Sequence, residues 1–448
     1  MAFPLILSTG AHTVQMFIDR TFLARHNLDE MTAAMPAGIF AFTFISLIMG
    51  TVSYVNTFVA QYLGADRPQR VGPAVWQGLI LTAAAAVLML GLLPLAPKLF
   101  QSLNHDPDVI PYEITYFRIM CLGALPVLIN STISGFFTGR GKTWTVLYVN
   151  IALTVINVFL DYCLIFGRFG FPEWGITGAG VATLIASACA SAIFLALFLR
   201  PSYRQFYHTL SARFDPDLFR RLIRYGLPNG VQFMLDVLAF ALFVALIGQI
   251  DKNSLTATTM TFQINMLAFM PMIGMGIAVS ALVGQALGAN HPNLAQRTVW
   301  SAFYMTYAYM ILIALGYWFL PNLFLAPFKG DANAADFAQI APLATNLLSF
   351  VAFYCLFDTG NIIFSAGLKG AGDTRFVMYL SVVLSWLIMV LPSYLAVKFA
   401  LGPRSGLYLA WTFVTAYVCI LSLTFFLRFL HGKWKSMRVI ESAPQPDI

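Results

Sequence analysis

Apolar runs of roughly twenty residues recur along this chain, separated by short polar stretches. Twelve of them lie near 2–24, 32–60, 72–97, 112–136, 144–166, 176–199, 225–249, 255–286, 298–325, 338–366, 375–400 and 405–428. Each approaches the ~20 residues that a membrane-crossing helix needs. None alternates with the two-residue period of a membrane barrel, and long unbroken runs predict helix. The expected fold is an all-α polytopic membrane protein with twelve transmembrane helices. Composition agrees: 59% of residues are hydrophobic and 10% charged, with mean hydropathy +0.76. A soluble domain carries roughly 25% charged residues.

The pattern repeats. Gly50–Trp76 and Gly274–Trp300 each run from an apolar segment into Gln-x-x-Gly-Ala, a short polar loop with Pro, and then Val-Trp. Gln61 and Gln285, Gly64 and Gly288, Ala65 and Ala289, Pro68 and Pro292, and Trp76 and Trp300 all share an offset of 224. Pro4 and Pro228 share it too, as do His12 and Asp236. Farther on, Gly139-x-Gly141-x-Thr143 pairs with Gly370-x-Gly372-Asp-Thr374 at an offset of 231, together with Asn130/Asn361 and Ser134/Ser365. A repeat of half the chain in a hydrophobic protein is the signature of a transporter built from two halves. The predicted organisation is two pseudo-symmetric six-helix bundles, 1–199 and 225–428. A basic connection over 200–224 joins them, and a tail over 429–448 is expected to be disordered.

Lys and Arg set the expected orientation. The loops at 61–71, 137–143, 200–224, 287–297 and 367–375, with the tail after 427, hold 17 of the 26 basic residues, and the alternate loops hold 7. Both termini are therefore expected in the cytoplasm of a bacterial cell, with the helices in its inner membrane. The net charge of +7 is explained by these loops, and nucleic acid is not an expected partner. The five Cys all fall in apolar segments without metal-ligand spacing, which favours packing over a disulfide framework. No cleavable leader is expected at the first segment.

Polar residues inside the segments carry the candidate chemistry. His12, Gln15 and Asp19 share one face of segment 1. Asn150, Thr154, Asn157 and Asp161 form a stripe down segment 5. Asn229, Gln232 and Asp236 share a face of segment 7, segment 8 holds Gln263 and Asn265, and segment 10 holds Asp358 and Asn361. Asp19, Asp161, Asp236 and Asp358 are the four acids read as lying well inside apolar segments. A charge at the bilayer centre costs at least about 2.5–3.5 kcal/mol, so such groups normally face a cavity and bind an ion, a proton or a cationic substrate. Asn and Thr oxygens beside a carboxylate also suit a hard cation such as Na⁺. The plainer alternatives are an internal ion pair, as with Arg20 beside Asp19, and hydrogen-bond glue between helices for Asn157, Asn361 and Gln263.

With those residues in view, the chain resembles the multidrug and toxic compound extrusion (MATE) family over nearly its whole length, with features of both the NorM-like and DinF-like branches. The resemblance is carried by Phe17-Ile-Asp19, the two Gln-x-x-Gly-Ala motifs, the two Gly-x-Gly-x-Thr motifs, and Asn157-Val-Phe-Leu-Asp161 followed by Gly175-Ile-Thr-Gly-Ala. It implies a V-shaped pair of bundles around a cavity, and a secondary active antiporter that exports organic cations or amphipathic drugs in exchange for H⁺ or Na⁺. It implies a cation site at Asp19, Asn157 and Asp161, further acids at Asp236 and Asp358, and a bending proline at Pro4 with its counterpart Pro228. Family members usually have Glu where Asp236 stands, and a longer lead than the three residues before Pro4. Gln15, Asn150, Gln232, Gln263 and Asn361 are candidates to line the cavity. The expected protein is a monomer among membrane lipids, with small drug-like or cationic partners, no enzyme activity and no cofactor beyond the coupling ion. A flippase for a lipid-linked precursor, from the same broad superfamily, is the alternative; it calls for a basic cavity, whereas the segment interiors here are mainly acidic.

Overall fold

The protein is described by a computed structural model covering residues 1–101, 107, 109–328, 334–399 and 402–441. Among the described residues, secondary structure is helical throughout. In lipid this follows from the backbone: only helices satisfy every peptide group within a single segment. The chain packs into two compact units. The first comprises Met1–Met234, Gly284–Asn290 and the tail from Arg438; the second comprises Leu235–Val283 and His291–Met437.

The first unit contains α1 (Ala2–His26), α2 (Leu28–Ser53), α3 (Val55–Gly64), α4 (Val71–Gly91), α5 (Ala96–Gln101), α6 (Ile110–Gly139), α7 (Thr143–Phe166), α8 (Gly175–Phe198), α9 (Pro201–Tyr207) and the start of α10 (Pro216–Gly248). Here α1 lies along α7, α7 along α8, α8 along α6, and α6 along α2 and α4. The second unit contains the rest of α10, α11 (Lys252–Gly288) as far as Val283, α12 (Pro292–Phe319), α13 (Pro321–Leu325), α14 (Ala334–Ala371), α15 (Thr374–Leu384), α16 (Leu391–Phe399) and α17 (Pro403–His431). There α14 packs on α12 and α17, and the Trp411 ring stacks on Phe262 at 5.0 Å within the core.

Eleven of the twelve expected segments are helices long and apolar enough to span a membrane. The remaining one, α1, is long enough but carries His12, Gln15, Asp19 and Arg20. Segment 2 is broken at Tyr54, where Thr51 and Ser53 turn their hydroxyls back onto the Leu47 and Gly50 carbonyls. Segment 11 carries a π-turn at Ser385–Val390, just before Pro392, whose missing N–H cannot continue the regular ladder. Pro4 lies in the first turn of α1, where a missing N–H costs nothing, and α1 runs on without a break. Pro228 is inside the continuous α10.

The repeat is explained by close backbone approach. A Cβ on Gly64 would overlap the Gln285 carbonyl, and a Cβ on Gly288 would overlap the Gln61 carbonyl. The two Gln-x-x-Gly-Ala motifs therefore pack reciprocally, each Gly accepting the other copy's backbone. The second motif repeats as well: Gly139 lies against the Asn56 carbonyl, and Gly370 against the carbonyl of Ser280, the residue equivalent to Asn56.

The tail departs from expectation. Residues 433–441 are bound rather than loose. Trp434 is fully buried and stacks on Phe429, and Val439 is buried with its N–H donating to Gln61 Oε1 at 2.8 Å. The Glu441 carboxylate accepts from Tyr62 Oη at 2.8 Å and faces Arg67, Arg70 and Arg221 at 3.3–3.8 Å. The remainder, 442–448, lies outside the described residues. The basic connection is also anchored: the Arg140 guanidinium of the first Gly-x-Gly motif is enclosed by the rings of Phe136, Tyr203 and Tyr207 at 4.2–4.4 Å.

Burial alone would raise the Glu441 carboxyl, but its backbone hydrogen bond, the Tyr62 hydroxyl and the Arg70 and Arg221 guanidiniums hold it below the ordinary value of 4.5. Such a group contributes stability that is complete above its unfolded pKa and lost as pH falls through the folded one. Hydrogen exchange of residues 433–441 should therefore stay slow from neutral pH down past 4.5 and quicken only below it. Glu441→Gln should quicken it at neutral pH; exchange equal to wild type would show that the carboxylate does not hold the tail.

Candidate functional site

The polar stripes of α1 and α7 meet in the first unit. Asp19 and Asp161 bring their carboxyl groups into hydrogen-bonding contact. Asp161 is completely buried, as is Asn157 one turn away on α7. Two ionised carboxylates have no donor between them. Counted that way, Asp19 Oδ1, both Asp161 oxygens and Asn157 Oδ1 have no partner among the described residues. The contact is a hydrogen bond only when one carboxyl holds a proton. Otherwise a cation must lie among these oxygens, because like charges at this range cannot both stay ionised in a dry site. The oxygens also suit Na⁺, which takes carboxylate and amide ligands, so Asp19, Asn157 and Asp161 fit either ion.

Neighbouring groups hold this arrangement. Asn157 Nδ2 donates to Thr183 Oγ1 of α8 at 3.3 Å, while its Oδ1 stays without a partner among the described residues. Tyr116 of α6 interacts electrostatically with both Asp19 and Asp161, and Arg20 with Asp19. Gln15 is buried one turn before Asp19, with its Oε1 unpartnered and its side chain bonded to His12. Asn150, two turns along α7 from Asn157, donates to Ser8 Oγ of α1 at 2.5 Å, which makes it a helix-to-helix fastener. Thr183 and Tyr116 were missed in the sequence because neither belongs to a polar stripe, and only helix packing brings them in.

The second unit holds a different cluster. Asn361 Nδ2 donates to Asp358 Oδ1 at 3.0 Å, and Asn265 donates to Tyr354 Oη at 3.2 Å one turn before Asp358. Asp236 interacts electrostatically with Lys369 and Tyr417, and Tyr417 also with Asp358. Lys369 corrects one expectation: it belongs to α14 and is half-buried rather than in a polar loop. It also gives Asp236 a basic neighbour from another helix. Gln263 is exposed on α11, whereas Asn265 faces inward; Gln232 is buried on α10 within the first unit. Among the described residues the buried acids are Glu30, Glu113, Asp161, Asp358 and Asp373, whereas Asp19 and Asp236 are half-buried; Glu30 and Glu113 lie at helix ends that the sequence placed at segment borders.

Comparison with known proteins agrees with this architecture. The sequence profile described as MatE matches residues 4–163 and 228–395, once in each half. A relative from Brucella suis, described as a probable multidrug resistance protein NorM, is 28% identical over 412 residues, covering 90% of this chain and 86% of the relative. One from Thermotoga maritima with the same description is 23% identical, covering 96% and 92%. Among solved structures, an outward-facing multidrug resistance MATE family transporter of the MOP superfamily superposes with a TM-score of 0.86 at 18% identity, covering 97% of this chain and 95% of that one. A MOP superfamily transporter from Pyrococcus furiosus, whose description reports a reversed polarity of the binding pocket, superposes at 0.85 with 18% identity, covering 98% and 96%. The profile spans most of the chain and falls on both repeats, and with it the chain belongs to the MatE family of multi-pass membrane transporters.

Proposed function

We propose that this protein is a secondary active antiporter that exports organic cations or amphipathic drugs in exchange for H⁺ or Na⁺. The observation that carries this is the buried Asp19–Asp161 carboxyl contact with Asn157 beside it. Such a site can exist in two states, with and without the ion, and the two differ by a buried charge. Coupling requires only that ion and substrate prefer different conformations or compete for the same carboxylates. The names of the relatives support the substrate class. The basic loops support cytoplasmic termini and a place in the bacterial inner membrane. We read the protein as a monomer.

Lys369 is the one observation that favours the flippase reading, because a basic group inside the second unit could receive an anionic head group. Its interaction with Asp236 offsets that charge, so the antiporter is preferred.

The reading is tested by efflux of a fluorescent cation from proteoliposomes, with a pH or a sodium gradient imposed separately. One gradient should drive efflux, and Asp19→Asn should lower it at least tenfold while the protein keeps its wild-type elution profile. Efflux at the wild-type rate in Asp19→Asn would remove the site. A second measurement concerns the second unit. Lys369→Met leaves Asp236 uncompensated, which is costly for a buried group. The variant should melt lower than wild type, and Lys369→Met with Asp236→Asn should recover part of the loss; equal melting of single and double variants would show that the two charges are independent.

A further inference from the structure

α1 ends at His26, two helical turns beyond Asp19 on the same face. A carboxylate stands at each nitrogen of its ring. Nδ1 is 2.9 Å from Glu30 Oε2, and Nε2 is 2.9 Å from Glu173 Oε1. A neutral imidazole has one N–H, and carboxylates only accept. With both carboxylates ionised, the two contacts are hydrogen bonds only while the ring is an imidazolium.

Each partner belongs to a different part of the site's scaffold. Glu30 is the buried acid at the start of α2, and its Oε2 also accepts from the Ile176 N–H at 2.9 Å, capping the first turn of α8. Gly175 makes room for it: a Cβ there would overlap the Glu30 carboxylate. Glu173 lies in the connection between α7 and α8 and is 65% exposed, so this side of the tie is in contact with solvent. Phe166, the last residue of α7, sets its ring edge-on to His26 at 6.2 Å. A single ring thus gathers the ends of α1, α2, α7 and α8. Three of these helices carry the ion-site groups: Asp19 on α1, Asn157 and Asp161 on α7, and Thr183 on α8.

Between tie and ion site lies an apolar layer of Leu23, Ile165, Phe22 and Phe166, to which α6 contributes Tyr112 and Tyr116. Seven residues of helix place His26 roughly 10 Å along α1 from Asp19. Across that layer His26 acts by position and not by passing a proton to Asp19. Among the described residues, the charged groups seen to contact it are Glu30 from α2 and Glu173 from the connection; α7 brings the Phe166 ring to it, and α6 adds two tyrosines to the layer.

We propose that His26 is a proton-dependent positioning residue for the ion site. Its imidazolium closes the ends of α1, α2, α7 and α8 together, and the pH of the compartment that bathes Glu173 decides whether that tie is complete. This rests on the reading of Asp19 and Asp161 as the coupling site.

Two measurements test it. The first does not involve transport. In ¹⁵N-histidine-labelled protein in micelles, the His26 signal is identified by its loss in His26→Gln. The Nε2–H is bonded to Glu173, so Glu173→Gln should move the His26 Nε2 signal at fixed pH; an unchanged signal overturns the tie, whatever the protein transports. The second uses proteoliposomes with pH varied over about 5–8 on the Glu173 side, the interval in which histidines change charge. His26→Lys keeps a cation with three donors over that whole range and serves as the reference at each gradient. The ratio of wild-type to His26→Lys efflux should fall at least threefold from pH 6 to pH 8. A constant ratio overturns the positioning role. Absence of efflux from both proteins, with the change in the Nε2 signal present, counts against the antiporter reading and leaves the tie standing.

Discussion

Two carboxyl groups buried face to face can coexist only with a proton or a cation between them, and the first unit is built around that constraint. Asp19 and Asp161 come from helices far apart in the chain, α1 and α7, which lie against each other along their lengths. Their polar stripes would be costly in lipid, and the two helices bring Asp19 against Asp161. Asn157, Thr183 and Tyr116 surround that pair: the Asn157 amide nitrogen is held by Thr183, and its oxygen is buried without a partner among the described residues. The polarity that keeps α1 out of the set of apolar spanning helices is the same polarity that makes the site.

The two halves share a backbone plan and differ in chemistry. Reciprocal contact of Gly64 with the Gln285 carbonyl and of Gly288 with the Gln61 carbonyl requires residues without a Cβ, and this explains why the repeat is sharpest there. Away from those contacts the copies diverge. Gln61 accepts from the tail at Val439, while Gln285 donates to the Gly139 carbonyl. His12 of the first half corresponds to Asp236 of the second, which has Lys369 as a neighbour. The first half pairs acid with acid and the second pairs acid with base, so a displaced or added ion has different consequences in each.

Much of the candidate site was readable along the chain because helical spacing places residues three, four and seven apart on one face. Asp19 with Gln15, Asp161 with Asn157, and Asp358 with Asn361 follow from that rule. What it does not contain is the angle at which one helix meets another. Tyr116, Thr183 and Lys369 join the polar clusters from other helices, and their own neighbours in sequence carry no sign of it. The tail shows the same limit. Its composition is polar and basic, as in a loose end, yet Trp434 and Val439 are buried and Glu441 meets three arginines contributed from elsewhere in the chain.

The sequence by itself determined the helical membrane architecture and the duplication, and it singled out the acids of the first candidate site. Apolar length, repeat offset and helical period are properties of a single strand of residues. The tertiary structure decided which buried charges are opposed and which are compensated, since a carboxylate's state depends on the groups that packing brings to it. The difference between the acid pair of Asp19 and Asp161 and the compensated Asp236 lies in which helices touch.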